Sequence, residues 1–490
     1  MRKGWIVLLT AVLVVAFAAP AMADLKVTGF YQTKAMLSNF FDGRSKPSLR
    51  SDEAEQTNSY NEQRARIKFD VGTDVARAVF HFESDMNWGV GSGSASAGSA
   101  DQLRNSGGAL SSDSVQLETK ELYLWFKIPD TSMQAKVGMQ SVADHYAGIF
   151  SNSADFTAIM VNGTFEPVKW TLGWGKLYES TPSNTGADGY NNADDVDIYI
   201  ASAQFVPAKD MNLGVNFYYV QDRQGNGGGN NAITPFVEDY ESIAGVINLA
   251  GYTADIYIPG VNFSMNAGIA KLSAFAFYQF GQFEKIGTED LDISAFMIDL
   301  RADLKLGPGN FFVEGFYISG DDKDDEYNSI VTLGDYQRGG FGTGGNSGFG
   351  RTNMYFLFGA DSLNVSQCLI GCSGGEAGDS FGNGGRGLWH VAAGYSQKFT
   401  EKLKGSVNAG YLAAVKLNAR DKDLTYVRAA RDKDMGTEIN ARLDYDISKG
   451  LTASVVGGWM KLGDFFTGMA GDDEFNDSYW MGYGKLAYRF

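Results

Sequence analysis

The sequence is poor in the residues that exported scaffolds and hydrolytic enzymes rely on. Of its 490 residues only two are cysteine, three histidine and nine proline. Two cysteines cannot staple a chain of this length. Cys368 and Cys372 stand close together in CLIGC, a spacing that suits a local disulfide, and no histidine follows to make a c-type haem site. With His81, His145 and His390 scattered and neither GxSxG nor HExxH present, no nucleophile–base pair or metal set can be assigned. The expectation is no enzyme, no cofactor and no metal. A basic excess is also missing: the net charge is −17, which argues against nucleic acid as a partner.

Long apolar runs are missing as well, with one exception at the start. Arg2 and Lys3 precede an apolar stretch at 5–19 broken only by Thr10, and Pro20, Ala21, Met22 and Ala23 follow it. That order of charge, short apolar run and small residues predicts a secretory signal peptide over 1–23, cleaved before Asp24. Nothing later approaches the ~20 apolar residues of a membrane helix. No Pro/Ser linker divides the rest, so 24–490 reads as a single domain.

What the chain has instead is glycine (61), aromatics (13%) and a strict alternation of apolar and polar side chains. In QRARIKFDV, Ala65, Ile67, Phe69 and Val71 share one face, and Arg64, Arg66, Lys68 and Asp70 the other. INARLDYDI repeats the pattern with Ile439, Ala441, Leu443, Tyr445 and Ile447 against Asn440, Arg442, Asp444 and Asp446. Period two means strands, and charge on every second residue means that one face is wet. A sandwich allows this too, so the connections must decide.

Strands are predicted near 25–37, 62–71, 75–88, 116–128, 132–141, 156–165, 168–179, 196–206, 211–222, 248–258, 270–283, 291–306, 310–320, 388–399, 403–415, 435–447, 451–462 and 478–490. That is about eighteen, with sixteen the next choice. Connections alternate between tight turns, such as 72–74, 166–167 and 448–450, and long Gly/Ser/Asn/Asp-rich loops, such as 38–61, 89–115 and 223–247. The join between 258 and 270 is the least defined. Short turns on one side and long loops on the other describe an all-β, antiparallel transmembrane barrel, with periplasmic turns and outer loops. Lipid forbids open sheet edges, so the strands must close. Parity then places all of 321–387 in one outer loop, with 351–361 a strand or hairpin arm folded over or into the mouth.

The chain ends in GKLAYRF, with Leu486, Tyr488 and Phe490 on one face. This ending, the opening strand LKVTGFYQTKAM (25–36) and RARIKFDVG (64–72) resemble the porins of Gram-negative outer membranes. The resemblance implies that Leu486, Tyr488 and Phe490 are read by the barrel-assembly machinery. It also implies a homotrimer in the outer membrane, in contact with lipid and lipopolysaccharide. The expected function is passive diffusion of small hydrophilic solutes and ions through a water-filled channel. Two alternatives stay open: a substrate-specific channel for a sugar or an oxyanion, and a plugged barrel used for surface binding.

If the charged faces are the lumen, Lys26, Lys34, Arg64, Arg66, Lys68 and Arg77 form a basic wall, diluted by Asp70, Glu83 and Asp85. Tyr123 and Trp125 are lumen aromatics, on which sugar rings could stack. The segment 141–156 follows the fifth strand, where porins fold a loop inward. By that resemblance Asp144, His145, Tyr146 and Asp155 are constriction candidates, acidic groups set across from the basic wall.

Overall fold

The computed structural model describes residues 24–41, 56–89, 107–110, 115, 117–149, 154–178, 196–223, 253–286, 289–321, 326–331, 350–363, 368–370, 381–383, 385–417, 432–466 and 477–490. The predicted signal peptide lies outside these residues.

Eighteen antiparallel strands close into a barrel of the transmembrane type. They are β1 (Asp24–Ser38), β2 (Asn58–Gly72), β3 (Ala76–Asn87), β4 (Glu118–Lys127), β5 (Gln134–Val142) and β6 (Ala154–Phe165). Next come β7 (Val168–Tyr178), β8 (Val196–Ala208), β9 (Met211–Asp222), β10 (Thr253–Ala267), β11 (Ala270–Ile286) and β12 (Glu289–Leu306). The barrel is completed by β13 (Gly309–Ile318), β14 (Leu388–Lys398), β15 (Leu403–Ala414), β16 (Asp434–Ser448), β17 (Leu451–Leu462) and β18 (Ser478–Arg489). Each strand pairs with its neighbours in sequence, and β18 returns to β1 with Phe30 opposite Arg489 and Ser38 opposite Met481.

The seam runs to the last residue. The Gly29 amide donates to the Phe490 carbonyl at 3.0 Å, and the Phe490 amide to the Gly29 carbonyl at 3.1 Å. A Cβ on Gly29 would meet the Phe490 ring at 2.8 Å, so the seam needs glycine there. With every edge paired, no row of backbone donors faces outward.

Alternation sorts the side chains as the sequence predicts. Leu300, Leu443, Val455, Leu486 and Tyr488 are exposed on the outside, while Arg64, Glu83, Asn408, Asn440 and Lys485 are buried on the inside. Among the described residues no helix is long and apolar enough to cross a membrane, which says nothing against crossing by strands.

Two expectations need correction. The tenth strand spans Thr253–Ala267, not 248–258, and the uncertain join closes to the two-residue turn Gly268–Ile269. Pro259 hides the strand because it lacks an amide, yet its neighbours stay in register with β9, Ile258 opposite Tyr218 and Gly260 opposite Asn216. The segment 351–361 is not a strand. A single 3₁₀ turn (Gly350–Thr352) leads into a one-turn helix, α1 (Tyr355–Phe358). All four helical side chains are buried, so no alternating wet face exists to hold it extended. Gly359, left-handed at φ 64°, ends the helix.

The long-loop half of the lumen is not empty. Phe356 packs on Phe40 and Phe41, Phe358 on Phe316 and Phe381, and all are buried. An apolar core thus forms inside the barrel from loop residues packed on wall residues such as Phe316.

Candidate functional site

The first three strands carry the predicted basic residues on one lumen wall, and five of the six pair with an acid on another of the strands β1–β4. Lys34 Nζ lies 2.5 Å from Glu62. Arg64 grips Asp85 with two nitrogens, Nε at 2.8 Å and Nη2 at 2.5 Å, and reaches Glu83 at 3.3 Å. Arg66 also binds Glu83, Lys68 lies 2.5 Å from Glu121, and Arg77 2.5 Å from Asp70. His81 Nδ1 shares the Glu121 carboxylate at 2.9 Å. The wall is therefore a ladder of alternating charge, and of the six predicted cations only Lys26 has no ion pair among the described residues. Sequence reading found the acids Asp70, Glu83 and Asp85; Glu62 and Glu121 were missed, although alternation puts both on the same face.

Tyr123 and Trp125 face the lumen beside this ladder. Lys136 Nζ stands 4.7 Å and Lys68 Nζ 5.9 Å from the Tyr123 ring centre. Trp125 donates through Nε1 to Gln134 at 3.1 Å.

The loop after β5 does fold inward. Tyr146 is fully buried and packs against Tyr218, Phe275 and Phe277, with ring centres 4.9–5.7 Å apart. Those rings belong to β9 and β11, so the loop reaches across the wall it springs from. Gly260 leaves room: a Cβ there would come within 2.4 Å of the Tyr146 hydroxyl. Burial raises the Tyr146 phenol and lowers the His145 imidazole, keeping both neutral. Asp144 accepts the amides of Tyr146 (2.7 Å) and Gly148 (2.8 Å), so this carboxylate folds its own turn. Asp155 is set apart on β6, paired with Lys120 at 2.6 Å. The four constriction candidates thus divide: three shape the inward loop and one joins the charge ladder.

A second inward segment, 350–363, crosses the opposite wall, and its contacts were not foreseen. Arg351 binds Glu314 on β13 (2.6 Å) and Asp299 on β12 (3.2 Å), and its carbonyl accepts from Arg301 at 3.1 Å. Asn440 on β16 donates to the Asn353 carbonyl at 2.8 Å. Glu438 accepts the amides of Tyr355 (2.7 Å), Phe356 (2.9 Å) and Leu357 (3.0 Å), a side chain from the wall capping the helix in the lumen. Asp361 closes the series on Lys485, Tyr483 (2.7 Å) and Arg442 (3.0 Å). Burial pushes the Asp361 carboxyl up, but Lys485, Arg442 and Lys34 outweigh it and hold it at about 2. The sequence signal for this site is the polar face that carries Asn440 and Arg442, which Glu438 extends by one alternate position.

Below this segment two cavities are lined by described residues of the lumen. One of about 350 Å³ lies between Arg301, Asn353, Tyr395 and Asn408; the other, about 310 Å³, reaches Lys398, Lys402, Lys485 and Arg489 near the short turns. Lys404, Arg442 and Asp444 line both. Cys368 is fully buried in the long loop; Cys372 lies outside the described residues. On the barrel exterior Tyr488 and Phe490 stack with ring centres 5.9 Å apart, and Leu486 is exposed beside them.

No known family profile and no curated protein matches the sequence. Solved structures do match in fold. The outer membrane protein opdK from Pseudomonas aeruginosa is similar at 11% identity, over 95% of this chain and 98% of that chain, with a TM-score of 0.50. The same protein determined with vanillate gives the same figures. OccK9 (OpdG) from that organism is similar at 12% identity over the same shares, again with a TM-score of 0.50. At such identity the likeness establishes the barrel fold alone.

Proposed function

We propose that the protein is a porin of the Gram-negative outer membrane, a water-lined channel for passive diffusion of small hydrophilic solutes and ions. The observation that carries this reading is the division of the eighteen-strand wall into an apolar exterior and a charged lumen. A barrel of this size is too wide for wall side chains alone to fill, and no soluble function needs an apolar outside. The short turns belong to the periplasmic side and the long loops to the outside. Outer-membrane lipid and lipopolysaccharide cover the exterior, the terminal strand with Leu486, Tyr488 and Phe490 is the assembly signal, and the barrels associate as a homotrimer.

The inward segments favour a narrowed, solute-selective channel over a wide one. Tyr146 and the 350–363 segment occupy the lumen from opposite walls, and the ladder, Tyr123 and the two cavities line what is left. Swelling of proteoliposomes in isotonic solutes tests this. The reading expects uptake of small polar solutes and a sharp fall with size. Liposomes with folded protein that admit no solute would refute it.

A further inference from the structure

Asp361 sits in the turn after α1, at φ 60°, and its carboxylate is shared by Lys485, Tyr483 and Arg442, while its carbonyl takes Lys34 Nζ at 3.2 Å. Arg442 has a second carboxylate, Asp444, at 2.7 Å, and Lys34 has Glu62. Lys485 has no other among the described residues, although it is only 9% exposed. The smaller cavity reaches Lys485 and Arg442 from the short-turn end. On the way it passes Lys398, Lys402, Lys404 and Arg489, none of which has a carboxylate within salt-bridge distance among the described residues, and also the acids Glu401, Asp444 and Asp446. With Lys485 and Arg442 the lining holds six cations against three acids, so a vestibule with a cationic excess ends at a carboxylate-binding cluster, and the carboxylate found there belongs to the chain itself.

We propose that Asp361 is a tethered carboxylate occupying a solute site, and that small carboxylates entering the vestibule exchange with it at Lys485 and Arg442. This rests on the reading of the lumen as a solute path. The chemistry fits: an ammonium, a guanidinium and a phenol converge on one carboxylate, the donor set that recognises such a group. Unpaired cations along the approach raise the local anion concentration. The fold allows the exchange without unseating the segment. Glu438 holds α1 from the other side, and left-handed Gly359 lies between α1 and Asp361, so only the turn at 359–363 has to yield.

A tethered competitor lowers apparent affinity by the fraction of time it leaves the site open. If Asp361 fills the site about nine-tenths of the time, removing its charge tightens carboxylate binding about tenfold. Isothermal titration of sodium malonate into the detergent-solubilised full chain reads this without any need for conduction. Asp361→Asn is expected to bind malonate about tenfold more tightly than the wild type, and Asp361→Asn with Lys485→Met to lose that gain. Circular dichroism confirms that each variant is folded, and Asp361→Ala serves if the Asn variant is not. Equal affinity in the wild type and a folded Asp361 variant, or no binding by either, overturns the proposal. Failure of the channel reading would show separately, in solute uptake.

Discussion

Glu438 caps a helix that it does not belong to: its carboxylate takes the Tyr355 amide at 2.7 Å, across 83 positions of sequence. A four-residue helix has no stability of its own, so this contact, with those to Phe356 and Leu357, holds α1 inside the barrel. Glu438→Ala leaves three buried amides without acceptors, a cost of about 1–3 kcal/mol each when unsatisfied. Cleavage of the 350–363 segment by added protease is expected to quicken by at least about tenfold, the factor that ~1.4 kcal/mol makes, while the barrel itself stays intact. Glu438→Gln, which keeps one acceptor, should lie between.

The Asp361 contacts set a pH window. The carboxyl is held at about 2, below the ~3.9 of a free aspartate. A depressed folded value means that the stabilisation is fully present above about pH 4 and is lost as pH falls toward 2, an effect on the order of 2–3 kcal/mol. The advantage of the wild type over Asp361→Asn in resisting cleavage of the segment should therefore be constant from pH 8 to pH 5 and vanish under acid conditions. Comparing the two proteins removes the contribution of Glu438, which is common to both. An advantage that fades near neutral pH would contradict the assignment.

Ion preference should follow the unpaired cations and not the ladder. Lys398 and Lys404 face the vestibule without carboxylate partners among the described residues, whereas Arg77 lies 2.5 Å from Asp70. Lys398→Gln with Lys404→Gln is expected to move the reversal potential in a salt gradient toward cation preference. Removing the pair Arg77→Gln with Asp70→Asn, which leaves net charge unchanged, should hardly move it. The reverse order would return selectivity to the ladder.

Inside and outside should respond differently to the same residue. Leu443→Arg puts a charge in the apolar belt and is expected to cost about 2–4 kcal/mol in denaturant unfolding. Ser406→Arg, on the lumen face, is expected to cut solute flux with little loss of stability.

Much of this fold is legible because lipid imposes it. Leu486, Tyr488 and Phe490 alternate with Lys485, Ala487 and Arg489 as a strand between oil and water must, and parity rightly kept 351–361 out of the wall. Proline at 259 obscured one strand, because a missing amide looks like a boundary until the neighbouring strand supplies the register. The lumen was read less well. Alternation says that Lys34 and Arg64 face inward but not that Glu62 and Asp85 stand opposite them, which depends on pairing register. Asp144 looked like an eyelet acid, and its bonds to the Tyr146 and Gly148 amides are invisible without backbone conformation. The 350–363 segment meets Glu438 and Lys485 through contacts far apart in sequence, for which period two carries no signal.

Single-channel recording in a planar lipid bilayer, with a salt gradient across it, tests the central claim most directly. The account predicts stable unitary current steps, small for a barrel of eighteen strands because two segments fold into the lumen, with a reversal potential on the anion side. A folded, membrane-inserted protein that gives no steps would contradict the channel itself.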